Sequence, residues 1–311
     1  MRPFRFGVNV RTAGSGAEWA DKARRVEALG YDVLLVPDHL ADHLAPVPAL
    51  AAAAAATPRL RVGTAVLNND FRHPVLVARE AATLDVLSGG RLELGMGAGH
   101  MRSEYEEAGL PFDPGPARVE RLAEAVVIVK RLLEGETVTV AGRYYRVTGH
   151  AIHPRPAQRP RPPIFIGGNA PRLLAVAARE ADVVGLTGIA FRRGGAAPDV
   201  SDFRAAVVDE RVRLVREAAG ARFERIELNA LVQRVIVTRD RRAAAGELAA
   251  GRWAALTPDE ILASPYALIG TVEQMTADLV ARRERWGFSY VMTHEASMDA
   301  LAPVVAGLAG R

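Results

Sequence analysis

The 311-residue sequence predicts a (β/α)8 barrel, a TIM barrel with insertion segments at its C-terminal rim. Two observations predict it. Eight short apolar runs rich in β-branched residues alternate with segments of helical period, which favours a closed parallel barrel over an open sheet. Between Leu60 and His100, two such runs flank one helix, and each ends in an unusual loop, so both loops fall on one rim. That rim is where α/β proteins bind ligands.

In order, Phe4–Val10 reads as a buried strand, followed by a helix over Glu18–Leu29 that Gly30 stops. Asp32–Val36 is the second strand and ends in Pro37-Asp38-His39, and Val47–Ala56 is a short helix closed by Thr57-Pro58. The third strand, Leu60–Val66, breaks at Asn68-Asn69-Asp70. His73-Pro74 then opens a helix with proline at an early position, where a missing N–H costs nothing. Its apolar face carries Val77, Ala81, Leu84 and Leu87, and Ser88-Gly89-Gly90 ends it. Arg91–Gly95, the fourth strand, empties into Met96-Gly97-Ala98-Gly99-His100. The stretch from His100 to Gly115 reads as an irregular insertion over the rim, and Pro116–Leu133 as a long amphipathic helix.

Glu136–Arg146 alternates around Ala141-Gly142, a small hairpin outside the main sheet. His150–Pro163 is a proline-rich crossing too short to link domains. Strand five is Ile164–Ile166, followed by Gly167-Gly168-Asn169-Ala170-Pro171 and a helix through Glu180; strand six is Asp182–Leu186. Arg192–Pro198 reads as a mobile loop, Phe203–Ala219 and Arg241–Ala250 as helices, and Ile226–Val237 contains strand seven. Thr257–Tyr266 reads as a loop, Thr271–Trp286 as a helix, Tyr290–Thr293 as strand eight and Met298–Leu308 as the last helix. The whole, residues 1–311, is expected to be a single domain.

Composition excludes several functions. The chain has no cysteine, so disulfides, thiolate metal sites and cysteine nucleophiles are out. Its net charge is +4, carried almost wholly by arginine, since Lys22 and Lys130 are the only lysines; no basic run alternates with aromatics, so nucleic acid is not an expected partner. No signal peptide and no membrane-length apolar run is evident, which fits a cytoplasmic protein.

The chemistry-bearing residues gather at strand ends. His39 can give or take a proton near neutral pH, or merely bind loop backbone. His39 and His43 share the spacing of a zinc pair, but on a loop beside Pro46 and Pro48 instead of a helix, so no metal is assigned. Asn68 offers an amide to a ligand or shapes a turn. Gly95, Gly97 and Gly99 allow either close approach of backbone to a planar ring or phosphate, or a tight turn. Gly168-Asn169-Ala170 precedes a helix N-terminus, which suits phosphate. His100 and His294 stand at rim positions facing substrate or solvent, Arg72 is a candidate anion contact, and His73 suits a helix cap.

GTAVLNNDFRHP, then TLDVLSGGRLELGMGAG, with Asp38-His39 before them, resembles the bacterial luciferase-like superfamily of flavin and deazaflavin oxidoreductases, over nearly the whole chain. The resemblance implies the same barrel and a non-prolyl cis peptide with a bulge at Ala65–Val66. It implies a cofactor site from Asp38, Ala65, Val66, Asn68, Gly97, Ala98, Gly99, Gly168, Asn169 and Ala170, with His39 catalytic and His43, His100 and His294 toward substrate. The cofactor implied is F420, with FMN as the alternative, and the reaction is hydride transfer with a small organic molecule. An FMN-dependent monooxygenase, a non-catalytic binding protein and a metal-dependent hydrolase stand as alternatives. Members are often dimers. Sugar-phosphate dehydrogenases of this superfamily carry Trp and Glu where this chain has His43 and His100, and grip phosphate with rim lysines this chain lacks, which argues against that substrate.

Overall fold

The computed structural model describes residues 1–188, 190–191 and 198–311; the loop expected at Arg192–Pro198 therefore falls almost wholly outside the described residues. Eight parallel strands form the barrel: β1 (Arg5–Asn9), β2 (Val33–Val36), β3 (Arg61–Thr64), β4 (Leu92–Gly97), β5 (Ile164–Gly167), β6 (Val183–Leu186), β7 (Glu227–Leu231) and β8 (Phe288–His294). Each pairs with the next, and Arg5 to Asn9 lie opposite Tyr290 to His294, closing the sheet on itself. All eight expected strands are present.

The strands are buried on both faces, as a helix-wrapped barrel requires. Outside, Phe6, Val8, Leu34, Val62, Leu94 and Ile164 pack under the helices. Inside, Val33, Leu35, Phe165, Val183, Leu231, Tyr290 and Met292 fill the lumen, so the barrel is packed and not a pore. The helices are α1 (Gly16–Ala28), α2 (Pro46–Ala56), α3 (Pro74–Leu87), α4 (Arg102–Glu107), α5 (Gly115–Leu133), α6 (Pro171–Glu180), α7 (Ala205–Ala219), α8 (Arg241–Ala250), α9 (Pro258–Ala263), α10 (Val272–Trp286) and α11 (Met298–Leu308). Local chemistry sets their ends. Ser15 caps α1 by accepting from the Glu18 N–H, and His73 caps α3 by accepting from the Val75 N–H, the capping role its sequence suggests. Thr257 and Gln274's partner Thr271 head capping boxes at α9 and α10.

Two expectations change and a third is extended. The insertion after His100 contains α4, and the loop expected at Thr257–Tyr266 contains α9. The run Ile226–Val237 is two strands: β7, then Arg234–Val237, which pairs in parallel with Ala267–Gly270 outside the barrel. The hairpin outside the main sheet is present as Val138–Ala141 against Arg146–His150.

Charge closes the N-terminal end. The Arg5 guanidinium lies 3.9 Å over the Tyr290 ring, forks onto Glu227 at 2.6 and 2.9 Å, and reaches Glu93 at 2.5 Å. Arg61 meets the same Glu93 oxygen at 2.7 Å. Burial works to raise the Glu93 pKa, but Arg5 and Arg61 outweigh it and hold the carboxyl below its ordinary value. On the same side Arg91 of the LSGGR motif donates to the carbonyls of Ala54, Leu60 and Ser88. Asp85 holds the proline-rich crossing through Gln158, at 2.7 and 2.8 Å.

Candidate active site

At the carboxyl end, β3 stops at Thr64, the Ala65–Val66 peptide is cis, and the chain rejoins β4 as Leu67 opposite Met96 and Asn68 opposite Gly97. Before the break Gly63 faces Glu93, so the β3 side gains one residue, a β-bulge. The glycines of β4 make room for it. A Cβ on Gly95 would stand 1.9 Å from the Thr64 carbonyl oxygen, and one on Gly97 would stand 2.4 Å from Val66 Cγ2. At both positions the structure displays close packing within the protein, a reason for glycine that the sequence reading did not offer.

The bulge is tied down from below. Asp38 is buried, accepts from the Asn68 N–H at 3.0 Å and pairs with Arg72 at 2.5 Å. Arg72, a candidate anion contact, is thereby committed. Asn68 Oδ1 accepts from the Asp70 N–H at 3.1 Å and from the Tyr105 hydroxyl at 2.9 Å. These bonds fix the amide with Nδ2 pointing the other way, and among the described residues Nδ2 donates to no partner. Arg118 donates to the Ala98 carbonyl at 2.9 Å and to the Gly99 carbonyl, and its guanidinium lies 4.2 Å from the Phe112 ring.

His39 stands beside this shelf. Its Nδ1 is 2.8 Å from Glu104 Oε1 of α4, a carboxylate that is 6% exposed. An ionised carboxylate only accepts, so Nδ1 carries hydrogen and Nε2 is left for proton exchange. Glu104 is a candidate site residue that sequence reasoning missed. The His100 ring lies edge-on to His39 at 5.4 Å and the His43 ring at 5.5 Å. Although His100 still reaches solvent, crowding, His39 and Arg118 lower its pKa to about 4. Burial, Arg11 and His39 lower that of His43, whose Nδ1 is buried with no partner.

The loop after β5 is held by Asn169, whose Nδ2 donates to Thr187 Oγ1 at 2.9 Å while its Oδ1 accepts from the Gly188 N–H at 3.2 Å. Ala170 is the uncapped N-terminus of α6, which leaves the first N–H groups of that helix for solvent or a ligand.

His294 lies at the far side, across a cavity of about 770 Å3 that opens among the loops after β1, β2, β7 and β8. Arg11 donates to its Nδ1 at 3.2 Å, so Nε2 carries the proton and donates to Gln233 Oε1 at 3.1 Å. Burial, Arg11 and Arg234 lower the His294 pKa to about 4, keeping the ring neutral. The structure therefore brings His39, His43 and His100 together and sets His294 apart with the arginines. Among the described residues no group of three or more His, Asp or Glu side chains is disposed to hold a metal ion, and no helix is long and apolar enough to cross a membrane.

Residues 1–290 match the luciferase-like monooxygenase family. The chain belongs to that family. An F420-dependent glucose-6-phosphate dehydrogenase of Microbacterium testaceum is 38% identical over 189 residues, 58% of this chain and 55% of that protein. The chain thus matches about half the length of that curated relative. Among solved structures, the F420-dependent tetrahydromethanopterin reductase of Methanopyrus kandleri superposes with a TM-score of 0.75 at 19% identity, over 98% of this chain and 97% of that one. A monooxygenase of Streptomyces bottropensis superposes with a TM-score of 0.71 at 25% identity, over 97% and 96% of the two chains.

Proposed function

We propose that this chain, as one barrel domain, is an F420-dependent oxidoreductase that moves a hydride between the deazaflavin and a small organic substrate. The observation that carries the reading is the shelf beside His39: a cis-peptide bulge braced by Asp38 and Arg72, with Asn68 Nδ2 left over as a donor. The F420-dependent relatives support the choice of cofactor. The groups present suit such a molecule. Ala65, Val66, Gly97, Ala98 and Gly99 form an apolar platform for a flat ring, Asn68 offers a hydrogen-bond donor to a ring carbonyl, and Gly168, Asn169, Ala170 and the head of α6 suit a phosphate. F420, when bound, supplies the hydride carrier.

The chain's own residues do the rest. Asp38 positions the bulge from beneath. Glu104 fixes the His39 tautomer, and His39 Nε2 gives or takes the proton that accompanies the hydride. His43 and His100, held toward neutral, present uncharged rings to whatever enters. We place the protein in the cytoplasm, where F420 would be supplied, and a homodimer is the assembly the family resemblance implies.

Fluorescence titration with oxidised F420 and, in parallel, FMN tests the reading. Saturable F420 binding at micromolar or tighter Kd, with FMN at least tenfold weaker, is the expected result. Preference for FMN would move the assignment to a flavin monooxygenase, and binding of neither would sink it.

A further inference from the structure

The chain's arginines are mostly matched. Many meet carboxylates, as Arg5, Arg61, Arg161, Arg213 and Arg285 do. The cavity among the β1, β2, β7 and β8 loops is different. Arg11, Arg234 and Arg252 all line it, and none has a carboxylate partner among the described residues. Two carboxylates share the lining, but Glu295 is bound by Lys22 at 3.0 Å, leaving three guanidiniums against the exposed Asp42.

Deeper in the same cavity the lining changes character. Asn9, 4% exposed at the end of β1, has its Oδ1 buried with no hydrogen-bond partner among the described residues, and the buried Nδ1 of His43 likewise has none among them. A buried polar atom without a partner is costly unless something fills its need, so two in one cavity point to a ligand that supplies the bonds. His43 is the link to the chemistry, since its ring abuts that of His39.

We propose that this cavity is the substrate site and that it takes an organic anion, a carboxylate or phosphate monoester. Arg11, Arg234 and Arg252 hold the charged end, and a hydroxyl or carbonyl of the same molecule reaches Asn9 and His43. Guanidinium pairs with either anion through two parallel hydrogen bonds, which no lysine could supply. The absence of rim lysines therefore does not exclude an anionic substrate, because arginines stand in the lining. The inference rests on the oxidoreductase reading for the direction of the substrate toward His39, but the anion site itself can be tested separately.

The experiment is calorimetric titration of the F420-saturated protein with inorganic phosphate in one arm and malonate in the other, at constant ionic strength. It is repeated with Arg252→Gln and with the Arg234→Gln/Arg252→Gln double variant. The expected result is saturable binding of one anion, weakened at least tenfold in the double variant and by a smaller factor in the single one, with F420 affinity within twofold of wild type. The arm that saturates tells phosphate from carboxylate. Binding of neither anion, or equal binding by wild type and both variants, overturns the proposal. If F420 fails to bind while an anion binds in an arginine-dependent way, the anion site stands and the cofactor reading falls.

Discussion

The two ends of the barrel treat charge in opposite ways. At the amino end, Arg5 and Arg61 are locked onto Glu93 and Glu227 in a network that carries no spare valence. At the carboxyl end, Arg11, Arg234 and Arg252 face a cavity with no carboxylate of their own, beside histidines held neutral. The first arrangement contributes to a fixed shape; the second leaves electrostatic free energy available to a ligand. Stability and the proposed function are thus segregated along the barrel axis, the division of labour such barrels use between their two faces.

The sharpest way to break this comparison is at the amino end. Glu93→Ala leaves two partly buried guanidiniums without their shared anion, and the expected loss is about 3 kcal/mol by urea denaturation. F420 affinity of the folded fraction should stay within twofold. A loss below about 1 kcal/mol would mean that the network is decoration.

His294 gives the next effect, at the other end. Its folded pKa of about 4 lies below the ordinary 6.5, so between those values the unfolded chain binds a proton that the native one does not. Stability is therefore complete above pH 6.5 and is lost as pH falls toward 4, by up to roughly 3 kcal/mol. Thermal melts at pH 7 and pH 4.5 should show a smaller acid loss in His294→Gln than in wild type, and parallel losses would remove His294 as the cause.

Glu104→Gln is expected to have the smallest thermodynamic signature and a purely kinetic one. The amide still accepts from His39 Nδ1 but no longer offsets charge on the ring, so kcat should fall about tenfold, near 1.4 kcal/mol. KM and cofactor Kd should hold within twofold. A change in KM alone would make Glu104 a packing residue.

Much of this fold was legible because the barrel's signal is local: short β-branched runs, proline at helix starts, glycine at helix ends. What was missed depended on pairing across long separations. Arg234–Val237 continues an apolar run, and only its partner Ala267–Gly270 makes it a strand outside the barrel. The helix at Pro258–Ala263 did announce itself, for Thr257 and Glu260 have capping-box spacing, but two prolines pointed to a loop. The amino-end network also left a trace, a charge near the start of three mostly apolar strands, RFGVN, LELGMG and ELNAL.

In the candidate site, the proposed cofactor shelf was readable because Asp38, Ala65, Val66, Asn68, Gly97 and Gly99 fall within about sixty consecutive residues and carry a family resemblance. Glu104 was not, because its meeting with His39 is made by α4 folding over the rim. The arginines were invisible among so many others until the structure separated matched from unmatched.

The shelf and the anion cavity also differ in how they are encoded. The shelf is built mainly from one stretch, residues 38–105, whose parts brace one another: Asp38 with Arg72, Gly95 with Thr64, Tyr105 with Asn68. The cavity is assembled from side chains far apart in sequence, Arg11 after β1 and Arg234 and Arg252 between β7 and β8, with Arg11, His294 and Gln233 joined in a row of hydrogen bonds. A change at one shelf position therefore needs compensation at another, whereas Arg234 and Arg252, which pair with no side chain among the described residues, are replaceable one at a time. On the proposed assignment, heredity can revise the molecule this barrel acts on by single steps while its cofactor preference stays put.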